Sequence, residues 1–226
     1  IFIDNSIETI NMDMDVDSSG VIESLELGDQ NWNDGRLNNL DCGWFIECGL
    51  SNEIPVNIGD LIELHTLWLS SNELSGEIPE SIGHLTNLWS LDLELNHLTG
   101  EIPESIIYLT ELDYLDLHTN QLTGEIPDSI GNLTNLSVLS FSNNELTGEI
   151  PESIWNLSNL TQLYLNNNEL SGDISEYICD MYPFLTGFSF SNNQLCPSYP
   201  DCLTEEDVGY QDTSECEEPS LCDEGY

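Results

Sequence analysis

Aromatic and acidic side chains recur in this sequence at a regular spacing, and they could form a binding surface. One column of equivalent positions contains Trp44, Trp68, Asp92, Asp116, Ser140 and Tyr164. Neighbouring columns contain Trp89 and Tyr114. Aromatic rings on a rigid surface stack on sugar rings or anchor peptides. The predicted ligand-binding residues are Trp44, Trp68, Trp89, Tyr114, Tyr164, Asp92 and Asp116. The alternative is that two or three of these tryptophans pack against an N-terminal cap.

The spacing comes from five repeats of equal length, which we number 1 to 5. They begin at Leu64, Leu88, Leu112, Leu136 and Leu160. Each follows L-x-x-L-x-L-x-x-N-x-L-[ST]-G, with Phe141 in place of one leucine. The two-residue alternation predicts a short strand with leucines inward and the intervening residues in solvent. One repeat cannot bury its leucines alone, so the repeats must stack. We expect each asparagine to bond backbone groups of neighbouring turns, because water cannot reach those groups inside the stack.

Outside the strands, the repeats carry rows of carboxylates and hydroxyls. The first carboxylate row is Glu77, Glu101, Glu125, Glu149 and Asp173, and the second is Glu80, Glu104, Asp128, Glu152 and Glu176. The hydroxyl row is Ser75, Thr99, Thr123, Thr147 and Ser171. The carboxylates are interpreted as a solvated face or as weak, diffuse cation sites. The hydroxyls are interpreted as repeat consensus, with an ice-facing surface or an O-glycan track as alternatives.

The N-terminal segment has two interpretations. Alternation in residues 10–16, a turn at 18–20 and a second alternating run at 21–27 predict a β-hairpin over the end of the stack. The same turn matches a calcium-binding EF-hand loop, with Asp15, Asp17, Ser19 and Glu26 as ligands. An EF-hand loop needs flanking helices, so the pattern favours the hairpin. Apart from weak calcium binding, no cofactor is predicted.

The seven cysteines predict disulfides and an oxidising compartment. The repeat spacing pairs Cys179 with Cys202, which lies about one turn further along. Similar reasoning pairs Cys196 with Cys216 and Cys42 with Cys48. Cys222 is then either a free thiol or an intermolecular bridge.

Charge excludes one class of partner. The chain has 43 acidic residues against one basic residue, for a formal net charge of -42. Because phosphate binding needs lysine and arginine, no nucleic-acid partner is expected. No apolar run is long enough to span a membrane. The start at Ile1, without methionine, is expected to reflect processing or truncation. Four sequons predict N-glycosylation candidates at Asn132, Asn135, Asn156 and Asn159.

Catalysis finds no support in the motifs. The four histidines, His65, His84, His97 and His118, fall in separate turns at positions that should face solvent. Periodic positions do not assemble a nucleophile with a base and an orienting group. The chain is therefore not predicted to be an enzyme.

The repeat resembles the plant-type leucine-rich repeat of receptor-kinase ectodomains and polygalacturonase-inhibiting proteins. The resemblance rests on L-x-x-L-x-L-x-x-N-x-L-[ST]-G-E-I-P-x-S-I-G-x-L-T-N-L, as in residues 112–136, and covers about 40–195. Residues 192–216 are similar to the C-terminal cap of secreted microbial proteins with this repeat. The resemblance implies an α/β solenoid with parallel strands on the concave face, an irregular or 3-10 convex arc and disulfide-stabilised caps. It also implies extracellular binding without shared catalysis.

These observations predict three segments: an N-terminal cap over 1–39, repeats over 40–195, and a C-terminal cap with an acidic tail over 196–226. The predicted function is a secreted or cell-surface binding or adhesion module for protein or carbohydrate. One alternative is a self-associating subunit of an extracellular filament or surface layer. A weaker alternative is ice, mineral or calcium binding through the hydroxyl and carboxylate rows.

Overall fold

The structure is a computed structural model, and it describes residues 13–16, 22–26, 39–41, 50–214 and 216. Two N-terminal strands, β1 (Asp13–Val16) and β2 (Ile22–Glu26), pair antiparallel as the predicted hairpin. β2 lies close to β4 (Ser51–Glu53), one of the first strands of the stack. In the described part of the chain, no helix has the length and apolar character that a membrane span requires.

The main sheet is parallel and contains one strand from each turn, so it forms the concave face of a solenoid. Its order follows the chain from last to first strand. The strands are β3 (Asn39–Asp41), β5 (Thr66–Trp68), β7 (Ser90–Asp92), β9 (Tyr114–Asp116), β11 (Val138–Ser140), β12 (Gln162–Tyr164) and β14 (Gly187–Ser189). Leu67, Leu91, Leu115 and Leu139 are adjacent across it and fully buried. The alternation predicted from the leucines is confirmed.

A second set of parallel strands runs beside the first. One sheet joins β4 to β6 (Glu73–Glu77), β8 (His97–Glu101) and β10 (Gln121–Thr123). A second pair is β13 (Ser171–Asp173) and β15 (Gln194–Cys196). The outer arc is made of short 3-10 helices. These are Ile58–Asp60, Glu80–His84, Glu104–Tyr108, Ile130–Asn132, Glu152–Asn156 and Tyr182–Phe184.

Buried asparagines join successive turns, as predicted. The Asn96 carbonyl oxygen accepts a bond from the backbone N–H of Leu74 at 3.0 Å, and its amide donates to the Leu69 carbonyl at 2.9 Å. Asn120, Asn144 and Asn168 repeat this pattern, and Asn193 closes it. Each asparagine satisfies backbone groups that water cannot reach, so this column is architectural.

Glycine is required where the chain enters the second sheet. Gly100 has a φ of +75°, and a Cβ there would lie 2.7 Å from Cγ of Glu77 in the preceding turn. Only a residue without a side chain combines this left-handed backbone with such a close approach. The glycine column therefore sets the distance between turns.

The C-terminal end is closed by a disulfide-anchored segment. α1 (Ile178–Met181) holds Cys179, which bonds to Cys202, and Cys196 bonds to Cys216. α2 (Glu205–Val208) buries Val208, and the Gln211 amide donates to the carbonyls of Phe190 and Val208. Both predicted C-terminal disulfides are present, whereas Cys42, Cys48 and Cys222 lie outside the described residues.

The first turn differs from the predicted phase. Leu40 pairs with Leu67, whereas Leu67 pairs with Leu91, so the first step along the chain is longer than the next. Leu50, Ile54 and Ile58 are nevertheless buried, as are Leu74, Ile78 and Ile82 at the same positions one repeat later. Three additional residues therefore lie between β3 and Leu50, and the regular period does not extend back through residues 42–49.

Candidate functional site

The concave sheet places the residues of the predicted binding column on adjacent strands, next to one another. Trp68 is adjacent to Asp92, Asp92 to Asp116, Asp116 to Ser140, and Ser140 to Tyr164. Adjacent strands are ~4.8 Å apart, so neighbouring members can contact a common ligand. The predicted place of Trp44 beside Trp68 is wrong, because Asp41 is the residue that pairs with Trp68; a ligand contact by Trp44 stays a prediction. Trp44 itself lies outside the described residues.

Two tryptophans are exposed on this face. Trp68 exposes 36% of its surface and Trp89 exposes 44%. The indole N–H of Trp68 donates to the Ser90 hydroxyl at 2.7 Å. This bond extends the ring across β7, the strand that carries Asp92. Large apolar surfaces held rigidly in solvent are typical of ligand contacts rather than of a folded core.

Tyr114 and Asp116 form a fixed pair beside the tryptophans. The Tyr114 hydroxyl donates to Oδ2 of Asp116 at 3.2 Å, and the His118 backbone N–H donates to Oδ1 at 2.9 Å. Asp116 is 6% exposed. Burial and the neighbouring Asp116 carboxylate raise the pKa of the Tyr114 hydroxyl. Tyr114 therefore remains a neutral donor at physiological pH.

Asp92 is a carboxyl group with poor solvation. Its Oδ1 accepts the Glu94 backbone N–H at 3.1 Å. Burial, followed by the nearby Glu94 and Asp116 carboxylates, raises the pKa of Asp92 to about 7, against the lowering effect of hydrogen bonds from Glu94 and Ser70. Asp92 is consequently only partly ionised at neutral pH.

A cluster that the sequence analysis missed lies two residues beyond the strand ends. Nδ1 of His118 is 2.8 Å from Oε2 of Glu94 and 2.9 Å from Oδ1 of Asp116. Hydrogen bonds to Asp116 and Glu94 raise the pKa of His118 to about 10, although burial opposes this. The prediction that His118 simply faces solvent was therefore wrong. Position 7 of each repeat also faces the concave side, and inspection of that column could have revealed Glu94 and His118 together.

The cluster can hold a positive charge in its centre. Glu94, Asp116 and His118 offer donor atoms within 4.8 Å of one another, which is close enough to share a metal ion. At neutral pH the proton of the imidazolium fills that place. A protonated histidine has no lone pair on the shared nitrogen, so the arrangement stores charge and does not supply a general base.

The lateral rows are arranged differently. A shallow groove of ≈ 900 Å³ lies between the carboxylate rows, lined by Glu125, Asp128, Glu149, Glu152 and Asp173, among others. In the hydroxyl row, Thr147 donates to the Gly124 carbonyl at 3.3 Å and Ser171 to the Gly148 carbonyl at 3.4 Å. These two hydroxyl protons serve the backbone of the preceding turn, so they are not directed at an external surface.

The remaining predicted sites stay predictions. Asn132, Asn135, Asn156 and Asn159 are all exposed on the outer arc. The amides of Asn135 and Asn159 donate to the carbonyls of Thr110 and Thr134, at 2.8 and 2.9 Å. For the EF-hand alternative, Asp15 and Glu26 lie on two paired strands, and the strand that begins at Asp13 occupies the N-terminal flank where the motif needs a helix. Asp17 and Ser19 lie outside the described residues.

Comparison with known proteins supports one family. Models described as leucine-rich repeat match residues 110–170, and residues 63–85 and 87–109. A search of curated protein sequences gives no significant match. The solved structures do give matches.

Three solved structures illustrate the similarity. The Arabidopsis receptor kinase HAESA, in complex with the peptide hormone IDA and the co-receptor SERK1, is 34% identical (TM-score 0.69, 76% of this chain, 28% of that chain). The ectodomain of the receptor kinase SOBIR1 from Arabidopsis thaliana is 37% identical (TM-score 0.54, 57% of this chain, 71% of that chain). A plant ice-binding protein is 33% identical (TM-score 0.60, 79% of this chain, 52% of that chain).

The chain thus spans only part of several relatives, including 28% of HAESA. The match to SOBIR1 covers most of that ectodomain. The structure agrees with these matches, since it has the buried leucine and asparagine columns, the second sheet and the 3-10 outer arc. This chain belongs to the leucine-rich repeat family, with repeats of the plant type.

Proposed function

We propose that this chain is an extracellular, non-enzymatic binding module that holds a protein or peptide segment along the first half of its concave sheet. The observation that carries the proposal is the pair of exposed tryptophans, Trp68 and Trp89, on adjacent turns of a rigid sheet. Several related structures are receptor ectodomains, and HAESA is described in complex with a peptide hormone. The two disulfides fit an oxidising, extracellular compartment.

A peptide suits this surface better than a sugar for a geometric reason. The first half of the concave sheet is an open face, on which Asp92 lies one turn after Trp68 and in the same turn as Trp89 and Glu94. An extended chain can place an apolar side chain on an indole and a polar one on the carboxylates. Carbohydrate stays the alternative ligand within this proposal.

The test is a selection followed by substitution. Wild-type protein is screened on a random-peptide array and a glycan array, and the strongest ligands are titrated by calorimetry. We expect Trp68→Ala and Trp89→Ala each to weaken peptide binding at least tenfold, because each removes a large contact surface. The matched control is Tyr108→Ala, which removes an exposed aromatic ring from the outer arc (62% exposed). Equal affinity in the wild type and both tryptophan variants would refute the site.

Ice binding is a second candidate, supported by the similarity to a plant ice-binding protein and by the regular hydroxyl row. The bonds from Thr147 and Ser171 to the backbone weigh against it. Thermal hysteresis of the purified chain tests it directly, and a value equal to that of serum albumin excludes it. A filament is tested by light scattering, in which a monomer at high concentration excludes self-assembly.

A further inference from the structure

Charge is unbalanced on the concave face. Asp92, Glu94 and Asp116 place three carboxyl groups on adjacent turns, and His118 contacts two of them, Glu94 and Asp116. The chain contains no lysine, and its single arginine, Arg36, lies outside the described residues. Because the imidazolium lies between Glu94 and Asp116, Asp92 has no cationic partner among the described residues.

Each exposed tryptophan has an aspartate as its neighbour in the next turn. Trp68 is adjacent to Asp92 across the β5–β7 pair. Trp89 is adjacent to Asp113, whose backbone N–H donates to the Trp89 carbonyl at 2.9 Å. An indole face beside a carboxylate is the combination that attracts an ammonium or guanidinium group, through the ring quadrupole and through the opposite charge.

We propose that the concave face binds a segment with two basic side chains, one at the Trp68–Asp92 pair and one at the Trp89–Asp113 pair. This inference rests on the proposed function and specifies its ligand. A net charge of -42 favours such a partner at long range, and the two pairs fix its position at short range.

The two pairs also define a spacing. Asp92 and Asp113 occupy positions 5 and 2 of adjacent repeats. Three residues along a strand and one strand across the sheet correspond to about 11 Å. Basic residues at i and i+3 of a polyproline II segment lie on the same side of the chain about 9 Å apart, and their long side chains span the remaining distance. The pairs are not equivalent. Asp92 is partly buried beside a ring held by Ser90, whereas Asp113 is exposed. Asp92 should therefore contribute more to affinity.

His118 further orients the ligand. Its imidazolium lies on the side of Asp92 toward Glu94 and Asp116, and repels a second cation there. The side of Asp92 toward Trp68 carries no such charge among the described residues. A basic side chain is thus directed to the tryptophan side of the carboxylate.

The experiment uses the whole chain and a blocked peptide, Arg-Ser-Ser-Arg, with Gln-Ser-Ser-Gln as its neutral counterpart. Titrations are made in 150 mM salt, where charges more than about 8 Å apart are largely screened. We expect at least tenfold tighter binding of the basic peptide. Asp92→Asn should weaken that binding at least fivefold and Asp113→Asn two- to threefold. Asp173→Asn removes the same charge from the lateral row and should change affinity less than twofold.

The outcomes separate this inference from the proposed function. Equal losses in all three variants would indicate diffuse attraction to an acidic protein and would overturn the inference. So would equal affinity for the two peptides, a result that needs no protein variant. If array-selected ligands are neutral, depend on Trp68 and ignore Asp92→Asn, the proposed function stands and the inference fails. If they ignore the tryptophans as well, both fail.

Discussion

The two halves of the concave sheet share one backbone but present different chemistry. The first half, from β5 to β9, exposes two tryptophans and holds carboxyl groups around an imidazolium. The second half, from β11 to β14, has Ser140 and Tyr164 in the column of Trp68 and Asp92, and asparagines lie three residues beyond its strand ends. There, Asn167 donates to Asn143 at 2.8 Å and accepts from Asn192 at 2.6 Å. The buried columns are the same throughout.

This difference shows that stability and recognition are assigned to different positions of the repeat. Leucines and asparagines at buried positions are interchangeable between turns, because each turn packs on an almost identical neighbour. The exposed positions carry no such constraint. In the first half they retain unbalanced charge and open aromatic surface, which cost stability and are therefore the places to look for function.

The largest expected effect lies in the shared core. Phe141 is fully buried where other repeats have leucine. Phe141→Ala should lower the free energy of unfolding by about 3–5 kcal/mol, because it leaves a cavity among packed leucines. Phe141→Leu restores the repeat consensus and should cost less than about 1.5 kcal/mol. Urea denaturation followed by circular dichroism measures both, and similar losses for the two variants would contradict the interchangeability of core positions.

A smaller effect separates the two halves. His118→Ala removes the imidazolium between Glu94 and Asp116 and should cost about 2 kcal/mol at pH 7, since bonds to charged groups are worth more than neutral ones. The pKa of His118 is raised from 6.5 to about 10, so its stabilisation is complete below pH 6.5 and is lost as pH rises through about 10. The gap between wild type and variant should narrow over that range. His97→Ala, at an exposed position, is the control and should show no such trend.

The smallest expected effect concerns Asp92, whose replacement should raise the stability of the fold at high pH and not lower it. The pKa of Asp92 is raised from 3.8 to about 7, so the folded state favours the neutral acid; its stabilising effect is complete below pH 3.8 and lost as pH rises through about 7. The groups around it are Glu94, Asp116, His118 and Tyr114.

Asp92→Asn imitates the neutral acid. We expect it to match the wild type at pH 4 and to exceed it by about 1 kcal/mol at pH 8, an amount reduced for partial exposure. Thermal melts at the two pH values check this. If Asp92→Asn is more stable at pH 8 and also binds the basic peptide less well, then the Asp92 carboxylate both lowers the stability of the fold and contributes to peptide binding. Destabilisation at pH 8 would refute the account of Asp92.

Sequence reasoning succeeded where a side chain depends only on its column. The buried leucines, the asparagine bonds and the pairing of Cys179 with Cys202 all follow from stacking one turn on the next. It failed at Trp44, because an irregular first turn shifts the register by three residues. The basis of that error is local chain length, which an average period cannot reveal.

The cluster around His118 was missed for another reason. Glu94 and His118 occupy the same column of adjacent repeats, but their meeting depends on side-chain rotamers that cross between turns. The burial of Asp92 likewise depends on its neighbours in three repeats. Such properties depend on contacts between side chains at different repeat positions, whereas the repeat pattern shows only which residues share one position.

The C-terminal end of the solenoid is covered by the segment that follows the last turn. The backbone N–H of Asn192 donates to Tyr210, and that of Asp212 donates to Asn193, so the last turn meets a segment of its own chain. The Cys196–Cys216 bond anchors that segment covalently. A second copy adding turns there would have to displace a tethered competitor at very high effective concentration. Added repeats are therefore accommodated within the stack, where every turn packs on a similar neighbour, and not against this segment.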